Sequence, residues 1–128
     1  MDPQFLHFTA SHEWVHQEGD VATVGLSRFA VDQLTDLIMI DLPSVGSRVS
    51  AGKSFGEVES VKSVSDLYAP VTGEVIEVNK AVADDVLLLS RDPYDKGWLI
   101  KVKLDPQGAA TEVFDGAAYE KKVADDGH

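Results

Sequence analysis

His12 and His16 stand four residues apart, the spacing at which two imidazoles on one helix face can share a metal ion. The segment His12-Glu13-Trp14-Val15-His16 reads as a strand, where that spacing puts the rings far apart on one face, so both are taken as surface or half-buried histidines. The chain has no cysteine, which removes disulfides, thiolate nucleophiles and cysteine-based metal or iron–sulfur sites. With few histidines and many acids, any Ser/His/Asp grouping is arbitrary, and the glycine-rich stretches carry neither the phosphate-loop nor the dinucleotide pattern. No catalytic residue and no metal ligand is therefore expected, and redox chemistry would have to come from something attached.

The informative residue is a lysine. Lys62 sits in Gly56-Glu57-Val58-Glu59-Ser60-Val61-Lys62-Ser63-Val64-Ser65-Asp66-Leu67-Tyr68-Ala69-Pro70, between two β-prone pieces. Ser60, Ser63 and Ser65 suit a tight reversal around it, which would project the lysine into water. On propensity alone it is a solvated turn lysine.

The elements that must position it are mostly strands. His12 to His16 and Val21 to Val24 flank Gln17-Glu18-Gly19-Asp20, a hairpin with a short loop. Ser27 offers an N-cap to a short helix with Phe29, Leu34 and Leu37 spaced to face a core. Leu37 to Leu42, an almost unbroken apolar run stopped by Pro43, predicts a well-buried strand. Val45-Gly46, Gly52-Lys53 and Thr72-Gly73 then punctuate β-prone pieces at 48–50, 54–61, 66–71 and 74–79, a turn frequency that implies a sandwich or partial barrel. Trp98, Ile100, Val102 and Leu104 alternate with Leu99, Lys101 and Lys103, lysines on two of the three opposing positions, as a half-exposed strand closed by Asp105-Pro106. The remaining Ala/Glu/Lys-rich chain, broken at Asp115-Gly116, predicts two short helices and an acidic, frayed tail.

The 128 residues suit one domain, 1–128, and 44% hydrophobic with 26% charged residues is ordinary for a globular protein. No apolar run is long enough to span a bilayer, so no membrane association is expected. Twenty-two acidic against eleven basic residues, a net charge of -11, repel a phosphate backbone and make nucleic acid an improbable partner. The same charge predicts at least one partner with a basic surface. Met1-Asp2-Pro3-Gln4 has neither a secretory nor an import pattern, so a bacterial cytoplasm is expected, or a mitochondrial matrix if a presequence has been removed.

Glu59-Ser60-Val61-Lys62, followed by Ser65-Asp66-Leu67-Tyr68-Ala69-Pro70-Val71-Thr72-Gly73-Glu74-Val75, resembles the lipoyl-lysine signature of the glycine cleavage H proteins. Ser11-His12-Glu13-Trp14, the stretch Asp36 to Gly46 with Leu42-Pro43, Asp92-Pro93-Tyr94 and Gly97-Trp98-Leu99 extend the resemblance in the family's order over nearly the whole chain. It departs at Val86-Leu87-Leu88-Leu89-Ser90, where the family commonly has Pro-x-Leu-Ile/Val-Asn, at Asp95, often Gly, and at Phe29, variably Tyr or His.

The resemblance implies a mostly β lipoyl/biotinyl hammerhead (barrel-sandwich hybrid): two short antiparallel sheets with flanking helices at the N-terminal side and C-terminus, and Lys62 on the hairpin linking its halves. It implies a non-catalytic carrier with lipoate in amide linkage to Lys62. The partners it implies are glycine decarboxylase (P protein), aminomethyltransferase (T protein), dihydrolipoyl dehydrogenase (L protein) and a lipoate ligase or lipoyl transferase. In H-like proteins the arm can fold back on the body, and Glu13 and Asp66 are the carboxylates expected to receive it. A biotin carrier would flank its lysine with methionines, where Val61 and Ser63 stand, and an acyltransferase lipoyl domain would carry Asp before it. A lipoyl donor serving other complexes would use the same lysine.

Overall fold

The computed structural model describes residues 6–34, 36–108 and 113–126. Strands β1 (His7–Phe8), β2 (Glu13–Glu18) and β3 (Val21–Leu26) lead into helix α1 (Arg28–Gln33). Strands β4 (Leu37–Asp41), β5 (Arg48–Val49), β6 (Ser54–Ser60), β7 (Val64–Tyr68) and β8 (Gly73–Val78) follow. Helices α2 (Lys80–Asp84) and α3 (Leu88–Arg91) precede β9 (Ile100–Leu104), β10 (Phe114–Asp115) and α4 (Gly116–Asp126).

The strands make two sheets, one in the order β10-β1-β2-β3-β9-β8-β5 and one in the order β4-β6-β7. All pairings are antiparallel. This is the expected mostly β hammerhead with short flanking helices, not a closed barrel. The sheets are unequal: the N-terminal hairpin and the short strands β1 and β10 extend one of them to seven strands.

Apolar side chains from both sheets meet in one core that includes Val24, Val58, Leu67, Val75, Ile100 and Val102, all buried. Each contributes on the order of 1.5–3 kcal/mol by leaving water. A second cluster gathers Leu6, Phe8, Trp14 and Tyr119, with the Phe8 and Tyr119 rings stacked at 4.2 Å. Trp14 is fully buried, its indole N–H donating to the Pro93 carbonyl at 2.9 Å. It lies opposite Gly25, where an added Cβ would stand 2.4 Å from the indole ring.

Several sequence expectations change. The run from Leu37 to Leu42 is not a well-buried strand: β4 is an edge strand with a bulge between Leu37 and Met39, and Ile38 and Met39 are each 50% exposed. Apolar composition does not say whether a strand's second face is covered. Helix α1 is six residues long, so Val31 alone is buried within it, while Phe29 packs beside the His12 ring and Leu34 is half-buried. Helices α2 and α3 were not expected; Asn79, buried, caps α2 through Oδ1 and donates from Nδ2 to the Lys96 and Trp98 carbonyls. Of the two expected C-terminal helices only α4 is present among the described residues, and Phe114–Asp115 forms a strand paired with β1. The remainder of that segment, 109–112, and the tail past 126 lie outside the described residues.

Candidate functional site

The connection from β6 to β7 is Val61-Lys62-Ser63. Ser60 closes it on three counts: its N–H donates to the Ser63 carbonyl at 2.8 Å, its hydroxyl donates to the same carbonyl at 3.2 Å, and its oxygen accepts from the Ser63 N–H at 3.3 Å. The Ser60 side chain is buried, so this latch is shielded from competing water. A further tie comes from outside the hairpin, where the Val61 N–H donates to the Asp36 carbonyl at 3.1 Å. Asp36 is in the left-handed region, φ 58, which Asp adopts more readily than most residues. Lys62 stands exposed at the tip of this fixed turn.

Exposure does not single it out, because Lys53, Lys80 and Lys96 are exposed as well. Position does. A lysine on a latched turn presents its amine on a rigid base with no neighbouring strand to obstruct it, whereas Lys101 lies along β9 over the Trp98 ring and beside Glu77.

Strand β7 runs from this turn past a cleft of about 160 Å³. Its walls are Leu26, Ala30, Leu34, Val58 and Leu67, with Ser11, Glu13 and Asp66 contributing polar atoms. Glu13 also borders a wider hollow of about 540 Å³ beside Thr9, Gly52 and Tyr68. The Glu13 side chain is 1% exposed, and the chain around it is folded to supply donors. Thr9 Oγ1 donates to Oε1 at 2.7 Å, Ser11 Oγ to Oε1 at 2.5 Å, and the Tyr68 N–H to Oε2 at 3.3 Å. Burial pushes its carboxyl above the ordinary range, and the Ser11, Thr9 and Tyr68 donors oppose that shift without cancelling it. Oε1 thus takes both hydroxyl donors and Oε2 the Tyr68 N–H.

The two expected carboxylates therefore differ. Glu13 is buried and preorganised. Asp66 is exposed, next to Glu57 in the β6–β7 register, with its Oδ2 3.5 Å from the Tyr68 hydroxyl. They border one cleft but do not converge on one point. Ser60 and Ser63 make the reversal as expected; Ser65 belongs to β7 and lines the cleft instead. The histidines have separate partners, His12 Nδ1 at 2.8 Å from the Tyr119 hydroxyl and His16 Nε2 at 2.9 Å from Glu18. Asp36, Thr9 and the walls from α1 were missed, since nothing local marks a backbone carbonyl that meets residue 61 or a threonine that solvates a glutamate.

The model of the family described as glycine cleavage H-protein matches residues 6–126. The glycine cleavage system H protein of Acaryochloris marina is 47% identical over 121 residues, 94% of each chain. That of Carboxydothermus hydrogenoformans is 44% identical over 125 residues, 98% of this chain and 96% of the relative. The crystal structure of a glycine cleavage system H protein from Mycobacterium marinum superposes with a TM-score of 0.85 at 40% identity, covering 99% of this chain and 100% of that one.

Proposed function

This chain belongs to the glycine cleavage H-protein family, lipoyl carriers of the glycine cleavage system, and from that premise we propose that Lys62 is its single attachment point for lipoate. The observation that supports this most is the Ser60–Ser63 latch, which holds an exposed lysine at the tip of a turn in the stretch that resembles the family's signature. The attached group supplies a dithiolane that takes up the aminomethyl unit of glycine and cycles between disulfide and dithiol. Everything else is presentation, and no catalytic residue is assigned to the chain itself. Tethering turns a bimolecular search into a local one, so one carrier can visit several enzymes without losing its cargo. Those enzymes are glycine decarboxylase, which loads the carrier, aminomethyltransferase, which unloads it, and dihydrolipoyl dehydrogenase, which reoxidises it. A lipoate ligase or lipoyl transferase makes the amide. The whole chain, 1–128, acts as one carrier domain, supported by a core shared between both sheets.

The cleft along β7 fits the arm. Lys62 precedes Asp66 by four residues, at most roughly 13 Å of extended chain, farther than a bare lysine stem reaches and within the span of a lipoyl extension. Apolar walls at Leu26, Leu34 and Leu67 take the hydrocarbon, and the Glu13 carboxylate faces the cationic end group, with Asp66 beside it on the cleft. An exposed ion pair would contribute only ~0–1 kcal/mol. A desolvated, charge-assisted hydrogen bond contributes roughly 1.5–3 kcal/mol, enough to favour docking about ten- to a hundredfold. Among the described residues no helix is long and apolar enough to cross a membrane, and together with the bacterial relatives this supports work in a bacterial cytoplasm.

Lys62→Arg tests the reading: it keeps the charge and loses the amine that forms the amide. The variant should fold as the parent does and support no glycine decarboxylation when mixed with the partner enzymes. Retained carrier activity would overturn the assignment.

A further inference from the structure

The three-stranded sheet has an outer face of which the carrier reading uses only Asp66, on the strand that borders the cleft. Its register aligns Met39 with Glu59 and Glu59 with Val64; two residues along each strand it aligns Asp41 with Glu57 and Glu57 with Asp66. Directly opposed residues project to the same side of a sheet. The residues between these rows, Ile40 and Val58, are buried, so both rows face outward. Met39 and Val64 are 50% and 56% exposed, Ile38 is turned out beside Met39 by the β4 bulge, and Val61 in the turn is 68% exposed. Four exposed apolar side chains thus lie at the end of the sheet that carries the Lys62 turn, with Glu59 between Met39 and Val64, and one row farther from the turn stand three exposed carboxylates abreast, with no Lys or Arg in either row.

Both features are unfavourable in the isolated chain, since the apolar group meets water and like charges directly opposed repel. One partner relieves both: a surface with an apolar patch bordered by a basic one. A second copy of this chain does not qualify, because it would bring the same carboxylates against these and carries the same net charge of -11. Resting on the reading that Lys62 is the attachment point, we propose that this face docks the enzyme that acylates Lys62. That enzyme meets a bare lysine with only four methylenes between backbone and amine, so its active site must close against the turn, and Val61, Val64, Ile38 and Met39 fall inside the contact. Enzymes that act on the finished arm meet a group carried farther from the backbone. In a ligase the lipoate carboxylate displaces pyrophosphate from ATP to give an acyl adenylate. The neutral Nζ then attacks the acyl carbon, the amide C–N bond forms, AMP departs and the nitrogen releases its proton.

The test uses the full-length unmodified protein with a purified bacterial lipoate ligase, lipoate and ATP. Met39→Ser combined with Val64→Ser, both on exposed side chains, should raise the ligase KM for the carrier at least about fivefold with kcat within about twofold of the parent. Asp41→Asn with Glu57→Gln should raise KM at low salt and lose that effect at high salt. Leu87→Ser, an exposed apolar residue outside the sheet, should change neither constant. Parent-like KM for both double variants, with Lys62 modified normally, would overturn the docking face while leaving the attachment reading intact. Modification of a different lysine in the parent would overturn the attachment reading and this proposal with it. A parent that sediments as a dimer, and becomes monomeric in Met39→Ser/Val64→Ser with unchanged KM, would make the face a self-interface and likewise reject the proposal.

Discussion

Glu13 holds a proton more tightly in the folded chain than its ordinary value near 4.5, because burial disfavours its charge. Over the pH range just above that value the native state binds more protons than the unfolded one, so this group's contribution to stability falls as pH rises and levels off above the folded value. Glu13→Gln removes the titration. The melting temperature of the parent relative to that variant should therefore drop as pH is raised from 4.5, and a difference constant with pH would contradict a buried, upshifted carboxyl. Glu13→Gln with Asp66→Asn should leave attachment at Lys62 intact and speed the loss of ammonia and formaldehyde from the loaded carrier; equal decay, measured without the aminomethyltransferase, would rule these carboxylates out as the shelter. At this scale the sequence exposed Lys62 through a long run of residues resembling a known signature, and it marked Ser60 and Ser63 as turn formers. It could not show that Thr9 and Ser11 solvate Glu13 or that Asp36 ties down Val61, because those contacts depend on how distant backbone segments meet.

Elements carry the next level of constraint. Tyr119 fastens α4 to the N-terminal half, its hydroxyl lying 2.7 Å from Ser27 Oγ and 2.8 Å from His12 Nδ1, and burial pushes its phenol up to about 12, so it stays a neutral hydrogen-bonding group throughout the working range. Ser27 is fully buried and also caps α1 by accepting from the Ala30 N–H. Tyr119→Phe should therefore cost about 1–3 kcal/mol through the two hydrogen bonds it removes, read as a lowered melting temperature; an unchanged value would mean α4 is not anchored there. Glu57→Gln should act the other way, raising stability by a few tenths of a kcal/mol at low salt by relieving repulsion with Asp41 and Asp66. Strands announced themselves by alternation, as in Ile100 to Leu104, and the N-cap Ser27 was legible from residue type alone. The burial of β4 was misread because an edge strand with an outward-facing apolar row has the same composition as a central one. Helices α2 and α3, of five and four residues, are too short to show a helical period and are held by tertiary contacts such as those of Asn79.

For the whole molecule, the net charge of -11 sets how partners approach. Association with at least one partner enzyme should slow as ionic strength rises, because opposite charge accelerates encounter more than it deepens final affinity; rates independent of salt in stopped-flow mixing would count against steering. The architecture separates tasks: a core shared by both sheets gives rigidity, the latched turn presents one exposed amine, and β7 leads from that turn past a cleft in which the proposed arm would lie. All of this turns on which lysine is acylated. Of the eight lysines in the chain, Lys62 alone should gain a lipoyl unit when the unmodified protein is incubated with lipoate ligase, lipoate and ATP and its peptides are mapped by mass spectrometry. A lipoyl unit on Lys53, Lys80 or any other lysine, with Lys62 left bare, would contradict the account.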